Sequence, residues 1–99
     1  MRIDPQSEFA AAVYRVVGAI PSGRLMTYGD VASQAGFRAY ARQVGQLLSH
    51  LPTDSQLPWQ RVVRADGYLP MAPQQTERLI AEGVVVQQDR VMLKHYRWP

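Results

Sequence analysis

The side chains of this chain that could do chemistry offer binding groups and no evident nucleophile. Trp59, Gln60 and Arg61 follow one another after Pro58, and they bring together an indole, an amide and a guanidinium. An indole and an amide are poor nucleophiles, since covalent catalysis needs a group such as a thiolate with a neighbouring base. Aromatic rings and guanidinium groups are suited to stacking and hydrogen bonding. The segment therefore indicates binding of a ligand more than its conversion.

Other residue types that carry catalysis or bind metals are absent or isolated in the sequence. The chain contains no cysteine, which excludes disulfides and thiolate metal sites. His50 and His95 stand alone, and each is better explained as a surface or packing histidine than as a ligand. We find no zinc-type cluster, phosphate-binding loop or catalytic triad. We therefore expect no catalytic residue, no metal site and no cofactor.

Length and charge limit the class of protein. With 99 residues, 46% of them hydrophobic, the chain can fold around one core, so we expect a single domain over residues 1–99. The net charge of +3 permits nucleic-acid binding without demonstrating it. No signal-peptide core and no apolar run of membrane-spanning length is found. We expect a cytoplasmic protein, nucleoid-associated in a bacterium, that does not enter a membrane.

Helical periodicity predicts the elements that position the motif. The first helix is expected to be capped by Asp4, with Pro5 at its first helical position. A second helix opens at Thr27, where Thr27 and Asp30 have the spacing of a capping box. A third helix covers about Ala39–Ser49. Two short helices joined by a glycine-containing turn are typical of a helix-turn-helix.

The third helix has two faces of different character. Arg42, Gly45, Gln46 and Ser49 recur at spacings of three and four, so they share a polar surface. Glycine inside a helix costs about 1 kcal/mol relative to alanine, and close approach to a groove is one reason to bear that cost. An ordinary solvated face is the alternative. The opposite, apolar stripe is predicted to contain Tyr40, Val44, Leu47, Leu48 and Leu51.

The chain after the motif predicts a short helix and a hairpin. Residues 74–82 can form one helix that ends at Gly83. Residues 84–86 and 90–93 could form two strands around a turn at 88–89, although Gln-Asp is a weak hairpin turn. Such a pair would be the wing of a winged helix. A buried strand pair without a role in DNA binding is equally consistent with the pattern.

The segment from Pro58 to Val63 resembles the Pro-Cys-His-Arg-Val motif of the O6-alkylguanine-DNA alkyltransferases. Trp59 stands where that family has the cysteine that accepts the alkyl group, and Gln60 stands where it has the histidine partner. The resemblance extends from about Phe9 to Val86. It implies a mostly α fold with a small β component, a winged helix-turn-helix domain as in the C-terminal domain of these enzymes. Further segments match in the family's order: residues 21–24, 27–32, 41–45, 66–67 and 82–83.

The resemblance implies that the third helix enters the minor groove of DNA. Arg42 matches the arginine that fills the gap left by a flipped nucleotide. Tyr28 matches the tyrosine that pushes on the phosphate of that nucleotide. A solvated arginine and a tyrosine packed on the core are the alternatives. The implied DNA-binding residues are Tyr28, Arg42, Gln43, Gly45, Gln46 and Ser49.

The resemblance also implies a pocket for the flipped guanine. Trp59 would form its wall, unless it is a core tryptophan that fills the space of the cysteine. Arg61 could equally brace the loop. Glu82 matches the glutamate that polarises the histidine in active relatives, and without that histidine it is expected to cap or brace, not to catalyse. Leu51 replaces an asparagine of the family. Between Gly67 and Glu82 the chain is shorter than in active relatives, so the loop 68–74 cannot be aligned with them. The implied pocket residues are Tyr28, Trp59, Gln60, Arg61, Val62, Met71 and Ala72.

These residues together predict a non-enzymatic protein that recognises DNA damage. By its resemblance it would bind O6-alkylguanine in duplex DNA, flip the lesion into the pocket and flag it for nucleotide excision repair. The expected partners are the damaged duplex and nucleotide excision repair proteins, and we expect a monomer. The alternative is a winged-helix regulator without lesion specificity. Alkyl transfer through another nucleophile is a third hypothesis, for which no residue qualifies.

Overall fold

Five α-helices and one two-stranded sheet are formed in the computed structural model, which describes residues 4–99. The 3₁₀ turn Trp59–Arg61 immediately precedes the second strand. This mostly helical architecture agrees with the predicted fold class. None of the helices in the described part of the chain is long and apolar enough to cross a membrane. The elements are α1 (Glu8–Gly18), β1 (Met26–Thr27), α2 (Tyr28–Gln34), α3 (Ala41–Ser49), β2 (Val62–Val63), α4 (Gln74–Ala81) and α5 (Leu93–Tyr96).

The starts of the first two helices show where local sequence signals succeed and fail. At α2 the predicted capping box forms: the Thr27 hydroxyl accepts from the backbone N–H of Asp30 at 2.9 Å, and the Asp30 carboxylate accepts from the N–H of Thr27 at 3.1 Å. At α1 the cap is Ser7, and Asp4 and Pro5 lie in a turn before the helix. The prediction of a cap at Asp4 is therefore wrong by three residues.

The two strands are parallel, and they join two hydrophobic clusters. Met26 pairs with Val62, and Thr27 pairs with Val63. Met26 and Val62 belong to the main core with α1, α2 and α3, whereas Leu25 and Val63 belong to a second core. Each of these four apolar side chains is fully buried. The short sheet thus connects the helix-turn-helix to the rest of the chain, and the other buried members of the second core are Leu69, Leu79, Val84 and Val91.

The hairpin predicted near the C terminus is reduced to its turn. Gln88 and Asp89 have φ of 52° and 59°, the left-handed backbone that both central residues of a type I′ turn adopt. The residues on either side exchange both backbone hydrogen bonds at 3.0 Å. No strands form over 84–86 or 90–93, so that prediction is wrong. Val84, Val86, Val91 and Leu93 pack in or against the second core instead of pairing, whereas Val85 and Met92 are exposed.

The carboxylate of Glu82 ties the motif loop to two other segments. Glu82 caps the C-terminal end of α4 and accepts from the backbone N–H of Gly23 at 2.8 Å. It also accepts from Nε2 of Gln60 at 2.8 Å and from Nε of Arg61 at 3.0 Å. Arg61 in turn donates to the carbonyl oxygen of Ile20 at 2.8 Å. Glu82 and Arg61 thus brace the loop.

The charge of Glu82 is stabilised although the group is largely shielded from solvent. The side chains of Arg61 and Glu82 are only 18% and 11% exposed. Burial by itself raises the pKa of the Glu82 carboxyl, but the hydrogen bonds from Arg61, Gly23 and Gln60 outweigh it and bring the pKa below its ordinary value. The carboxylate therefore stays ionised near neutral pH and stabilises the fold there.

A tight turn follows β2 and packs against the C-terminal segment. Gly67 has φ of 83°, and its carbonyl oxygen accepts from the N–H of Val91 at 3.0 Å. A Cβ atom at this position would overlap the carbonyl oxygen of Val91. At Gly36, by contrast, φ is 87° but a Cβ would meet nothing within 4 Å. Gly67 is thus required both by the backbone conformation and by the close approach.

Gly67→Ala is expected to destabilise the protein more than Gly36→Ala. The Gly36 variant bears only the left-handed backbone, a cost of about 1 kcal/mol. The Gly67 variant must also push the backbone at Val91 away, which adds about 1–3 kcal/mol. Urea unfolding of both variants and the parent measures the difference. Equal losses at the two positions would show that the contact with Val91 is not tight.

Glu82→Gln is expected to lower the free energy of unfolding by about 2 kcal/mol at pH 7, because Arg61 loses its charged partner. The folded pKa of Glu82 is depressed, so its stabilisation is present above the unfolded pKa of about 4.3 and is lost as the pH falls through the folded value. Parent and variant should therefore converge in acid. Glu77→Gln, an exposed change on the same helix, is the control. A difference that stays constant from pH 7 to pH 3 would contradict this role.

Candidate DNA-binding site

The predicted polar face of α3 lies at the surface. Arg42 and Ser49 are exposed, and Arg42 forms no ion pair with another described residue. The opposite side of the helix is buried in the main core. The face is therefore free to meet a partner, and its other members, Gly45 and Gln46, are partly exposed. Gln43, also predicted to bind DNA, is partly exposed as well.

One residue assigned to the apolar stripe of α3 lies elsewhere. Tyr40 is 46% exposed, and its ring centre lies 5.7 Å from that of Phe9 and 5.8 Å from that of Phe37. It closes an aromatic cluster beside the start of α3 and does not enter the core. Val44, one residue of the stripe, is fully buried as predicted. Tyr40 is the N-cap residue of α3 and has non-helical backbone angles, so the helical period does not apply to it.

The end of α3 is closed by its own side chains. The Ser49 hydroxyl donates to the carbonyl oxygen of Gln46 at 2.9 Å. Nδ1 of His50 lies 2.7 Å from the same oxygen and 3.1 Å from Oγ of Ser49. His50 is exposed, so it is a surface histidine as expected. The Ser49 hydroxyl is held in one orientation by these contacts and is preorganised for a further contact from outside.

Tyr28 lies directly against the polar face of α3. A Cβ at Gly45 would lie 3.8 Å from Cδ1 and Cε1 of the Tyr28 ring, an ordinary contact distance. The ring therefore does not by itself require glycine at this position. Burial raises the pKa of the Tyr28 hydroxyl, and the nearby positive charge of Arg64 offsets only part of this. The hydroxyl is thus protonated at neutral pH and can donate a hydrogen bond.

A cavity of about 430 Å³ opens beside Trp59. Trp59 is partly exposed, and Cζ of Arg78 lies 5.2 Å from the centre of its ring, within the range of a cation–π contact. Trp59 thus forms a wall and is not a core residue. Aromatic, aliphatic and charged groups all border this space, which is lined by Leu48, Ser49, Leu51, Pro52, Thr53, Trp59, Met71, Gln74, Glu77 and Arg78.

Two of the seven residues predicted for the pocket, Trp59 and Met71, line this cavity. Gln60 is 7% exposed, and its Oε1 has no donor among the described residues. With Arg61 it borders a second, polar cavity of about 450 Å³ beside the loop 53–58. The side chain of Val62 belongs to the main core. Ala72 packs against the second core, and Tyr28 does not line the Trp59 cavity.

Two residues that shape the site were not signalled by the sequence. Gln75 is fully buried, and its Nε2 donates to the carbonyl oxygens of Gln60 at 3.1 Å and Val62 at 2.9 Å. Its Oε1 accepts from the N–H of Met71 at 3.2 Å. The side chain of Gln75 thus links the motif segment at Gln60 and Val62 to the backbone at Met71. Arg78 stacks on Trp59 from the same helix. Polar residues on a short helix are typical of a solvent-exposed face. Only contacts with residues distant in the sequence show that Gln75 and Arg78 belong to the site.

Metal chemistry has no support among residues 4–99. No group of three or more histidine, cysteine, aspartate or glutamate side chains there could hold a metal ion. The chemistry that the site can offer is stacking on Trp59, donation from Tyr28 and positive charge on α3 and α4.

Known proteins are similar to this chain in amino-acid sequence. The family described as "6-O-methylguanine DNA methyltransferase, DNA binding domain" matches residues 8–90. The chain is 42% identical to the "DNA base-flipping protein" of Escherichia coli, over 98% of this chain and 79% of that protein. It is 37% identical to "Alkyltransferase-like protein 1" of Schizosaccharomyces pombe, over 99% and 98%.

Solved structures give the same result. The chain matches Schizosaccharomyces pombe Atl1 in complex with damaged DNA containing O6-carboxymethylguanine, with a TM-score of 0.88 and 36% identity, over 100% of this chain and 99% of that one. It matches Mycobacterium tuberculosis OGT in complex with DNA with a TM-score of 0.72 and 28% identity, over 82% and 56%. The similarity to Atl1 thus extends over the whole fold. The chain belongs to the family of the 6-O-methylguanine DNA methyltransferase DNA-binding domain.

Proposed function

We propose that this protein recognises O6-alkylguanine in duplex DNA, keeps the alkyl group in place, and flags the site for nucleotide excision repair. The observation that carries the proposal is the cavity walled by Trp59. Its volume of about 430 Å³ lies in the range of small-ligand pockets, about 300–1,000 Å³. An indole face stacks on a base without sequence preference, and it also packs against an alkyl group.

The surface around α3 supports binding to duplex DNA. In the proposed complex α3 enters the minor groove, and Arg42 occupies the gap left by the rotated nucleotide. Arg42 is exposed and unpaired within the described chain, so it loses no internal contact on binding. Tyr28 would press on the phosphate of that nucleotide, with its ring supported by α3 at Gly45.

The absence of alkyl transfer follows from the chemistry of Trp59 and Gln60. They occupy the positions that resemble the cysteine and histidine of the active alkyltransferases. An indole is too weak a nucleophile to take an alkyl group from guanine at neutral pH, and the amide of Gln60 is no base. Its Nε2 donates to Glu82, so it retains a hydrogen bond without proton transfer. Recognition would end in a reversible complex on the chromosome, in the cytoplasm, with one copy of the chain.

The names and structures of the relatives also support this function. The Escherichia coli relative is named a DNA base-flipping protein, and the Schizosaccharomyces pombe protein is seen on DNA that contains O6-carboxymethylguanine. Both similarities cover nearly the whole of this chain. The step to excision repair rests on the family resemblance and on the persistence of an unrepaired lesion.

The wild-type protein is expected to bind a duplex with one central O6-methylguanine more tightly than the same duplex with guanine, at matched physiological salt. Mass analysis of protein and DNA after incubation should find the methyl group still on the base. Equal affinity for the two duplexes would favour a winged-helix regulator without lesion specificity. A methyl group on the protein would instead reveal an enzyme that uses another nucleophile.

Arg42→Ala is expected to weaken binding to the lesion duplex by about tenfold or more, because a side chain inserted in the stack contributes more than its charge. The matched control is Lys94→Ala, which removes one exposed positive charge that forms no ion pair in the described chain. Fluorescence anisotropy at two salt concentrations separates the charge effect from the rest. Similar losses in the two variants would refute the insertion of Arg42.

A further inference from the structure

We propose that Arg64 binds a backbone phosphate of the flipped nucleotide together with Tyr28, so that the two side chains form a clamp at the end of the sheet. The proposal rests on the proposed function for the identity of the partner. It assigns a contact to a residue that lies outside the predicted DNA-binding set and pocket. The ligand is a phosphodiester, and the contact is independent of base sequence.

The register of the sheet brings the two residues together. β1 and β2 run parallel with Thr27 beside Val63, and Tyr28 and Arg64 are the next residues along the two chains. Neighbouring strands lie about 4.8 Å apart, so the two backbones leave the sheet at adjacent points. The two residues are 36 positions apart in the sequence, and only the strand pairing makes them neighbours.

The Arg64 guanidinium is held in place without being neutralised. It is exposed, and its Cζ lies 5.4 Å from the centre of the Tyr68 ring. Arg90 lies over the same ring at 5.4 Å, and it pairs with the carboxylate of Asp66 at 3.1 Å. Arg64 itself forms no ion pair with a described carboxylate. Of the three charges around Tyr68, one positive charge is therefore left in excess, on a side chain that is already oriented.

The electrostatics of Tyr28 agree with this placement. The positive charge of Arg64 lowers the pKa of the Tyr28 hydroxyl against the larger effect of burial. The charge of Arg64 thus acts on the Tyr28 hydroxyl, in agreement with the adjacent positions that the strand register gives the two residues. A phenol hydroxyl donates one hydrogen bond, and a guanidinium donates two in a fork that matches the oxygens of a phosphate. Together they supply only donors, which suits the acceptor oxygens of a phosphodiester.

The test is a cycle between protein variants and backbone-modified DNA. Lesion duplexes carry one uncharged methylphosphonate in place of the phosphate on the 5′ or the 3′ side of the O6-methylguanine. The proteins are the wild type, Arg64→Gln, Arg64→Lys and the control Lys94→Gln. On the duplex with natural phosphates Arg64→Gln should bind about tenfold more weakly, and its salt dependence should fall by about one ion. The affinity of Arg64→Lys should lie between those of the wild type and Arg64→Gln, because lysine keeps the positive charge but cannot donate two parallel hydrogen bonds.

The clamp requires that the effect of Arg64→Gln depends on the presence of one particular phosphate charge. On one of the two methylphosphonate duplexes wild type and Arg64→Gln should bind equally within about twofold, since the contact is already gone. Lys94→Gln should show the same small effect on every duplex. If Arg64→Gln loses the same factor on all three duplexes, the clamp is refuted even where the wild type still prefers the lesion. If the wild type shows no lesion preference, the proposed function fails instead, and the two failures remain distinct.

Discussion

The carboxylate of Glu82 is the contact on which the arrangement of the site depends. It receives hydrogen bonds from the turn at Gly23 and from both Gln60 and Arg61 of the motif loop, while it ends α4. Because α4 carries Arg78, fixing its end also fixes the distance between that guanidinium and the Trp59 ring. A buried carboxylate with several donors resists displacement. Where the family resemblance implies a residue that polarises a catalytic histidine, this chain retains the glutamate as a structural brace.

The sequence predicted features that depend on neighbouring residues and features implied by the family resemblance. It did not predict contacts between segments that are distant in the sequence. The capping box of Thr27 and Asp30 is contained in four residues, so it was found and formed. Asp4 and Ser7 are equally good caps locally, and only packing decides between them. The strands have two residues each, too short for any period to appear. The resemblance supplied the polar residues predicted for the site. The partners of Gln75 depend on how α4 docks, and the position of Arg64 beside Tyr28 depends on the strand pairing.

The two glutamines near the motif show how a binding site is kept rigid without catalytic chemistry. Gln60 and Gln75 are both buried. Gln60 donates to the carboxylate of Glu82, and Gln75 donates to the backbone carbonyl oxygens of Gln60 and Val62. Buried amides with well-placed partners contribute to a unique structure more than to reactivity. Trp59 can therefore present its ring to the cavity while its neighbours hold the backbone. In the proposed function this preorganisation lowers the entropy that binding must offset.

The parallel sheet also has a mechanical consequence. Rotating a nucleotide out of a duplex costs a few kcal/mol of stacking and pairing, and whatever pushes on it must withstand the reaction. Tyr28 and Arg64 emerge one residue after strands whose apolar side chains are locked into two separate cores. A force on Tyr28 or Arg64 is thus resisted by both hydrophobic cores through the sheet, and not by a flexible loop. In the proposed function the protein would therefore resist deformation itself, so that the distortion falls on the DNA and not on the chain.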